Sequence, residues 1–367
     1  MKPKHLIQLF IGILISAVAL WFVFRGVDLR QMLGSIKSFN YYYLIHCLLL
    51  FYLGIVLRAW RWQWLFRPKH RIPFTHATAG IFICFAFNSV FPARAGEFAR
   101  AYLVGKQDKT GFSTAFGTVV AERLLDSLTL LPCLVLALAI APIAPGTTLP
   151  IDVFGKIYVL TGAQFLRLER SIIVTCLFLL AAILAVVIPV TRGWILGVIH
   201  SIPLLPHAFR VKVERIVHQF AEGVNFFRSP LRVVGLFVFS FILWATTAYA
   251  VFFLAKGFPG MHMTLVQAFA MIVIVCIFIL PPAAPGYWGF FEAGVIFSVV
   301  IMGVTTDQTL ARSYAILLHL TQWVPIVVIG LPWAWFAHVS LSDVRQLKAE
   351  APPASDVNND QSNSLDS

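Results

Sequence analysis

Long, almost uncharged apolar runs dominate this chain and limit what it can fold into. A helix needs about 20 apolar residues to cross the hydrocarbon core of a bilayer. Because the runs are continuous rather than alternating, and because unpaired backbone groups are costly in lipid, the spans must be helices and not barrel strands. With 59% hydrophobic and 12% charged residues, the chain is predicted to be an all-α, polytopic integral membrane protein. The runs cover residues 6–24, 41–57, 74–91, 113–140, 171–190, 231–255, 264–280, 292–304 and 310–338.

Two of the runs stop at proline, and glycine and glutamate follow in each case. Run 74–91 is followed by Pro92, Gly96 and Glu97, and run 264–280 by a segment that ends at Glu292. Such breaks are typical of helices that turn inside the membrane and line a cavity.

The distribution of Lys and Arg tests this interpretation, because cytoplasmic loops are enriched in both. If run 74–91 and run 264–280 cross the bilayer, the basic residues divide 13 inside to 14 outside, leaving aside Arg123. If residues 74–112 and 264–309 each dip in and return, the division is 19 to 8. We therefore predict six full spans and two re-entrant hairpins entering from opposite faces, or eight spans if hairpins are counted. Both termini are then cytoplasmic.

The first run follows Lys2 and Lys4 and is interpreted as an uncleaved span. Residues 1–341 are predicted to form the transmembrane domain. Within it, residues 207–228 have the apolar and basic faces of an amphipathic helix on the cytoplasmic leaflet. The polar segment 342–367 is predicted to be a disordered cytoplasmic tail.

The net charge of +12 lies beside membrane spans, so anionic lipid headgroups are the expected partners and nucleic acid is not. The five cysteines are never spaced as CxxC, and we interpret them as small buried apolar residues. No metal or other cofactor is predicted. The sequence leaves a homo-oligomer open.

Charged and polar residues inside the apolar runs form four candidate functional groups. An ionised side chain at the centre of a span costs roughly 2.5–3.5 kcal/mol, so such residues usually have partners or a function. The groups are Arg58 and Arg61; Asn88, Arg94, Glu97 and Arg100; Glu122, Arg123 and Asp126; and Pro285, Gly286, Gly289 and Glu292.

Glu122 and Asp126 share one helical face, with Arg123 turned about 100° away. Two carboxylates at this spacing repel, so a cation from elsewhere, Arg94 or Arg100, is expected between them. The cluster is interpreted either as part of a binding site or as a buried ion-pair network, and one network can serve both purposes.

The other groups also have structural alternatives. Arg58 and Arg61 can extend to the cytoplasmic interface without binding a ligand. Glu292 can cap the helix that it begins, since a helix N-terminus favours a carboxylate.

Motifs of soluble enzymes are absent from the sequence. It contains no GxSxG, no GxxxxGK[ST] and no HExxH, and its histidines do not cluster at ligand spacing. The protein is therefore not expected to be an enzyme.

Taken in order, four motifs resemble the lysylphosphatidylglycerol synthase transmembrane family, the flippase-like membrane domain of the multiple peptide resistance factor and of stand-alone bacterial and archaeal proteins. The resemblance extends to about residue 341. One departure is Tyr287, where the family often has a second glycine after Pro-Gly. The motifs are Arg58-Ala-Trp-Arg61, Asn88-x3-Pro92-x-Arg94-x-Gly96-Glu97-x2-Arg100, Glu122-Arg123-x2-Asp126 and Pro285-Gly286-x2-Gly289-x2-Glu292.

The resemblance implies lipid handling in a bacterial or archaeal cell membrane. Because only a short tail follows the last span, aminoacylation of lipid is not expected. We hypothesise translocation of a lipid with a charged headgroup, of phospholipid or polyprenyl-phosphate type, between leaflets. Guanidinium groups pair with phosphate oxygens in bidentate geometry, and the predicted phosphate ligands are Arg94 and Arg100, together with Arg58, Arg61 and Arg123.

The carboxylates Glu97, Glu122, Asp126 and Glu292 would orient those arginines or meet a cationic part of the headgroup. Asn88 completes the predicted site. The breaks at Pro92 and Gly96, and at Pro285, Gly286 and Gly289, would act as hinges.

Two alternatives stay open at the level of sequence. A secondary transporter of a water-soluble solute would use the same broken helices. An intramembrane lipid-modifying enzyme would use Glu97, Glu122 and Asp126 in acid–base roles.

Overall fold

The computed structural model describes residues 28–67, 70–91, 94–140, 149–153, 156–161, 230–279 and 285–337, with isolated positions between 14 and 25 and between 167 and 197. These residues form nine α-helices, a short two-stranded sheet and one turn of 3₁₀ helix. The helices are α1 (Leu29–Lys37), α2 (Tyr42–Phe66), α3 (Phe74–Val90), α4 (Ala95–Gln107), α5 (Phe112–Ile140), α6 (Pro230–Lys256), α7 (Leu265–Phe278), α8 (Phe290–Ile301) and α9 (Gln308–Phe336).

Three helices are long and apolar enough to cross a membrane, namely Tyr42–Phe66, Leu231–Lys256 and Gln308–Phe336. Helix α6 exposes large apolar side chains at helical spacing, among them Leu231, Val234, Val238 and Phe241. A soluble protein would bury such a stripe, whereas a membrane protein turns it toward lipid. The predicted helical membrane protein is therefore confirmed.

The remaining apolar helices are shorter and are arranged in pairs. Helix α3 has 17 residues and packs against α4, which has 13; helix α7 has 14 residues and packs against α8, which has 12. At about 1.5 Å per residue, none of these four reaches the length of a full span. Helix α5, by contrast, has 29 residues and contains Glu122, Arg123 and Asp126.

Close backbone contacts hold α3 and α4 together; this pair is called the first hairpin, and α7 with α8 the second hairpin. The backbone of Arg94 takes the left-handed conformation (φ 51°) just before α4 begins. A Cβ atom at Gly96 would lie 1.9 Å from the carbonyl oxygen of Cys84. Asn88 Oδ1 accepts a hydrogen bond of 2.9 Å from the Gly96 amide, so the end of α3 also caps the start of α4.

Side-chain caps position the second hairpin and α9. Thr264 and Gln267 exchange hydrogen bonds at the start of α7, and Gln267 Nε2 donates to the carbonyl of Met302 beyond the end of α8. Asp307 Oδ1 accepts from the amides of Thr309 and Leu310 and begins α9. These contacts tie the two arms of the hairpin together at their open end.

Helices α2 and α6 pack along each other, and α9 packs against α3. A Cβ atom at Gly330 would lie 2.6 Å from both the Ala86 Cβ and the Phe82 carbonyl oxygen. Only glycine therefore allows α9 to approach α3 so closely.

Two described elements lie outside the predicted set. Helix α1 follows Asp28, whose carboxylate accepts hydrogen bonds from the amides of Arg30 and Gln31. Strands β1 (Leu149–Val153) and β2 (Lys156–Leu160) form an antiparallel hairpin, so the all-α prediction omitted this small sheet. The amphipathic helix 207–228, the tail 342–367, the domain boundary at 341, the hinge residue Pro92 and most of runs 6–24 and 171–190 lie outside the described residues.

Candidate functional site

A network of buried charges joins α2, α4, α5 and α6. Arg61 Nη1 donates to Asp126 Oδ1 at 2.7 Å and to Ser240 Oγ at 2.8 Å, and Arg61 Nη2 lies 3.7 Å from Glu122 Oε1. Arg61 and Glu122 have no exposed surface. A buried ion pair of this kind is stable only while every charge keeps its partner.

Arg100 forms the second strong pair of the network. Its two terminal nitrogens donate to the two oxygens of Glu122, at 3.1 and 3.3 Å. The Arg100 guanidinium also lies 4.9 Å from the ring centroid of Trp62. Bidentate pairing and stacking on an aromatic face are the contacts in which arginine differs most from lysine.

The cation that bridges Glu122 and Asp126 is Arg61, so the expectation of Arg94 or Arg100 in that position was wrong. Arg100 contacts Glu122 alone. Arg123 also reaches both carboxylates, since its Nη2 contacts Glu122 and its Nη1 lies 3.7 Å from Asp126 Oδ2. The long side chain of Arg123 reaches across the helix surface to Glu122 and Asp126, although its Cα–Cβ bond points about 100° away from their shared face.

Arg58 and Arg61 occupy different environments. Arg61 is completely buried, so the alternative in which it extends to the interface is wrong. The Arg58 guanidinium stacks over Trp244 at 4.8 Å and over Phe85 at 5.7 Å from the ring centroids. Trp244 Nε1 in turn donates to Asp126 Oδ1 at 3.1 Å. Trp244 therefore connects Arg58 to the buried network.

A cavity of about 250 Å³ lies beside the network. Its polar lining includes Arg58, Asn88, Arg94, Glu97 and Arg123. Aromatic and aliphatic side chains form most of the remaining wall, among them Phe51, Ile55, Phe85, Trp244, Val275, Ile279, Phe291 and Ile326. The predicted residues thus separate into two layers, one that lines the cavity and one that is sealed behind it.

Arg94 and Glu97 belong to the cavity layer. Arg94 Nη2 donates to the carbonyl of Ile279 at 3.0 Å, and its guanidinium lies 6.0 Å from the ring centroid of Tyr287. Within the described residues neither Arg94 nor Arg58 has a carboxylate partner, and the buried Oε2 atom of Glu97 has no hydrogen bond. Both kinds of charged group therefore face the cavity with unused hydrogen-bonding capacity.

The whole cluster contains more positive than negative charge. Five guanidinium groups (Arg58, Arg61, Arg94, Arg100 and Arg123) face three carboxylates (Glu97, Glu122 and Asp126). Within the buried layer, Arg61 and Arg100 balance the charges of Glu122 and Asp126. The surplus of positive charge therefore lies on the cavity side, where an anion could balance it.

The Pro-Gly segment of the second hairpin closes one side of the cavity. Gly286 and Gly289 have φ of 70° and 87°, and Tyr287 takes φ 58°, a value that a glycine adopts without strain. Pro285 begins the 3₁₀ turn Pro285–Tyr287. Gly286 and Tyr287 both line the cavity.

Glu292 is fully buried and has a capping role. Its Oε2 accepts from the Gly289 amide at 2.7 Å, and its Oε1 lies 2.7 Å from Nδ1 of His319. The ring of His319, unlike Glu292, is part of the cavity wall.

Sequence reasoning missed four residues of this region: Ser240, Trp244, Tyr287 as an aromatic partner, and His319. Each is a single polar or aromatic residue within or beside an apolar helix. A signal existed for His319 alone, as a histidine near the middle of the long apolar run 310–338.

Comparison with known proteins gives one family. The family model described as "Lysylphosphatidylglycerol synthase TM region" matches residues 9–330. A UPF0104 membrane protein of Methanothermobacter thermautotrophicus is 22% identical over 331 residues, which cover 85% of this chain and 90% of that protein. A UPF0104 membrane protein of Pyrococcus horikoshii is 20% identical over 338 residues, covering 89% and 96% respectively.

A third relative is similar over a shorter segment. The glycosyltransferase AglD of Haloferax volcanii is 27% identical over 120 residues, which are 32% of this chain and 19% of that protein.

Proposed function

Since this chain belongs to the lysylphosphatidylglycerol synthase TM region family, we propose that it moves a lipid with a charged, phosphate-bearing headgroup between membrane leaflets through the cavity beside α2, α3 and α7. The headgroup is of phospholipid or polyprenyl-phosphate type. An isolated ion is strongly penalised in hydrocarbon, whereas lipid tails are not. A protein that lowers this barrier therefore has to provide polar contacts for the headgroup only, while the tails remain in the lipid.

The observation that carries the proposal is the pair Arg58 and Arg94. Both guanidinium groups line the cavity, and neither meets a carboxylate within the described residues. Guanidinium remains charged at every physiological pH and binds two phosphate oxygens at once. These two arginines are the proposed phosphate ligands, with Arg123 at the boundary between the cavity and the buried network.

Arg61, Arg100, Glu122 and Asp126 receive a different role in this proposal. Because they lie behind the cavity and pair with one another, they hold α2, α4 and α5 together. Glu97 is the carboxylate that meets a cationic or hydroxyl part of the headgroup. Asn88 accepts a hydrogen bond from the Gly96 amide. In this proposal the contact positions Arg94 and Glu97, which lie before and after Gly96 in the chain.

The short paired helices support the proposed topology. Helices α3 and α4, and likewise α7 and α8, have 12 to 17 residues each, too few to cross a bilayer that needs about 20. In the proposed arrangement the two pairs are re-entrant hairpins from opposite faces, and six full spans surround them. Both termini are cytoplasmic, and anionic lipids contact the basic loops.

The test is lipid movement in reconstituted vesicles. Purified protein is incorporated into phosphatidylcholine vesicles with a trace of NBD-labelled phosphatidylglycerol, and bleaching by external dithionite reports which leaflet the label occupies. Wild-type protein is expected to expose inner-leaflet label faster than protein-free vesicles do. Arg58→Gln and Arg94→Gln are each expected to lower that rate about tenfold or more, since a charge-assisted hydrogen bond contributes roughly 1.5–3 kcal/mol.

Arg71→Gln is the matched control, because Arg71 is an exposed arginine outside the cavity. Its rate should equal that of the wild type. Rates equal to protein-free vesicles across a panel of phospholipids and polyprenyl phosphates would reject the proposal. Solute uptake without lipid movement would identify a solute transporter, and a changed lipid mass would identify an enzyme.

A further inference from the structure

His319 and Glu292 form a buried acid–imidazole pair at the edge of the cavity. Nδ1 of His319 lies 2.7 Å from Glu292 Oε1, and the two side chains have 6% and 0% of their surface exposed. His319 comes from the middle of α9, and Glu292 from the first turn of α8. The pair therefore joins a long span to the second hairpin.

The chemistry of the two groups fixes where a proton is held. An ionised carboxylate only accepts hydrogen bonds, so Nδ1 of His319 carries the hydrogen in this contact. The second carboxylate oxygen is occupied by the Gly289 amide at 2.7 Å. The other ring nitrogen, Nε2, has no hydrogen bond to any residue that the structure describes, and it is the basic atom on which a further proton can bind.

Aromatic rings hold the imidazole in place. The centroid of the His319 ring lies 4.3 Å from the Trp288 ring and 4.4 Å from the Phe291 ring, at interplanar angles of 34° and 30°. An imidazolium between two π-faces is stabilised by cation–π attraction. The stacking therefore suits the charged form of His319 as well as the neutral form.

The charge of Glu292 also bears on the role of His319. Among the described residues no Lys or Arg forms an ion pair with Glu292, although Glu292 is completely buried. A buried carboxylate without a counter-ion is strongly penalised. A proton on Nε2 would turn the contact between His319 and Glu292 into an ion pair.

We propose that His319, held by Glu292, is the proton-binding site that couples headgroup movement to a proton gradient, an inference that rests on the proposed function. With His319 neutral, the cavity presents Arg58 and Arg94 to an anion. With Nε2 protonated, His319 adds a further positive group to the wall, beside Arg58, Arg94 and Arg123.

The other charged and titratable groups of the cavity wall define the surroundings in which this happens. They are Arg58 from α2, Arg94 before α4, Glu97 from α4, Arg123 from α5, Tyr287 from the 3₁₀ turn and Cys276 from α7; the described lining residues of α3 and α6 carry no charge. Glu97 is thus the one carboxylate of the described lining.

The proposed step transfers one proton and breaks no other bond. Nε2 takes a proton from water in the cavity when the cavity is open to one face, and the headgroup anion binds the resulting imidazolium and the two arginines. The proton returns to water after the cavity has opened to the other face, and the anion leaves with it. A monoanionic headgroup and one proton then cross together, without net charge.

The experiment uses the same vesicles with a pH gradient and with the membrane potential held at zero by potassium and valinomycin. One coupled proton per lipid predicts that NBD-phosphatidylglycerol accumulates in the leaflet facing the alkaline compartment. At equilibrium the ratio of labelled lipid between the two leaflets should be about tenfold per pH unit. A difference of one pH unit and a tenfold concentration ratio each correspond to about 1.4 kcal/mol.

His319→Gln should move lipid but distribute it equally between the leaflets. Glu292→Gln removes the negative charge and replaces one accepting oxygen with an amide that donates. A hydrogen bond from the Gly289 amide can still be accepted, but His319 then has to move its hydrogen from Nδ1 to Nε2 to keep its contact. This variant should therefore also lose the asymmetry. His262→Gln, which changes an exposed histidine outside the cavity, is the control and should keep it.

The outcomes separate the two proposals. Wild-type protein that moves lipid but ignores the gradient, or His319→Gln that still concentrates it, overturns the proton site alone. Wild-type protein that moves no lipid overturns the proposed function. If His319→Gln does not fold, Glu292→Gln decides in the same assay.

Discussion

Arg61 and Asp126 are in contact at 2.7 Å although they lie 65 residues apart in the sequence, and their side chains are 0% and 8% exposed. This pair joins α2 to α5 at the depth of the cavity. Both charges are removed from water, so each depends on the other.

Arg61→Ala is expected to destabilise the protein by about 3–5 kcal/mol, because it leaves Asp126 as a buried and partly unpaired charge. The double variant Arg61→Ala/Asp126→Ala should lose less than the sum of the single losses. Thermal unfolding in detergent measures both, with Arg71→Ala as the exposed control. Equal behaviour of the Arg61 and Arg71 variants would contradict the structural role of the pair.

Trp244→Phe removes the indole N–H that donates to Asp126 and retains an aromatic face for Arg58. We expect a loss of about 1–3 kcal/mol, the cost of a buried acceptor that loses a donor. The same unfolding measurement in the Asp126→Ala background should show a smaller effect of Trp244→Phe. An identical effect in both backgrounds would mean that the hydrogen bond contributes nothing.

Gly96→Ala is expected to disrupt the first hairpin, since its Cβ would lie 1.9 Å from the Cys84 carbonyl oxygen. Neither backbone segment can shift without losing the Asn88 cap. Gly117→Ala in α5 is the control, because its Cβ would meet nothing within 4 Å and alanine favours the helix. Yield and size-exclusion profile distinguish the two; a monodisperse Gly96→Ala protein of wild-type stability would show that the close contact is absent.

Cys276 should react with a small, water-soluble methanethiosulfonate reagent, because it lines the cavity. Cys47 is 1% exposed and should stay unmodified. Mass spectrometry of the labelled peptides measures both, with Cys276→Ser as the control. Unreactive Cys276 in folded protein would contradict a cavity that admits the reagent. Phosphatidylglycerol should slow the labelling if the headgroup binds there.

The sequence was sufficient to predict the helical class and the regions that line the cavity and the buried network. Apolar length alone defines α2, α6 and α9, and the Pro-Gly breaks at 92–96 and 285–289 mark where the short helices end. The charged groups in the four motifs were also predicted, because ions inside apolar runs are too costly to occur without a reason.

The partners of those charges could not be predicted. Arg58 and Arg61 are equivalent in sequence, yet one stacks on Trp244 in the cavity and the other bridges Glu122 and Asp126. The difference depends on which side of α2 faces α5, and this follows from packing among distant helices. His319 was missed for the same reason, since its partner Glu292 lies on another helix.

The contact at Gly330 limits how such a molecule can move. Helix α9 lies against the Phe82 carbonyl of α3 with no room for a methyl group, so the two helices are tightly packed at this point. The opposite wall is formed by α7 and the Pro-Gly turn, whose glycines permit rotation. In the proposed transport, the second hairpin would therefore move against α3 and α9, and the free-energy cost of widening the cavity would fall on that hairpin.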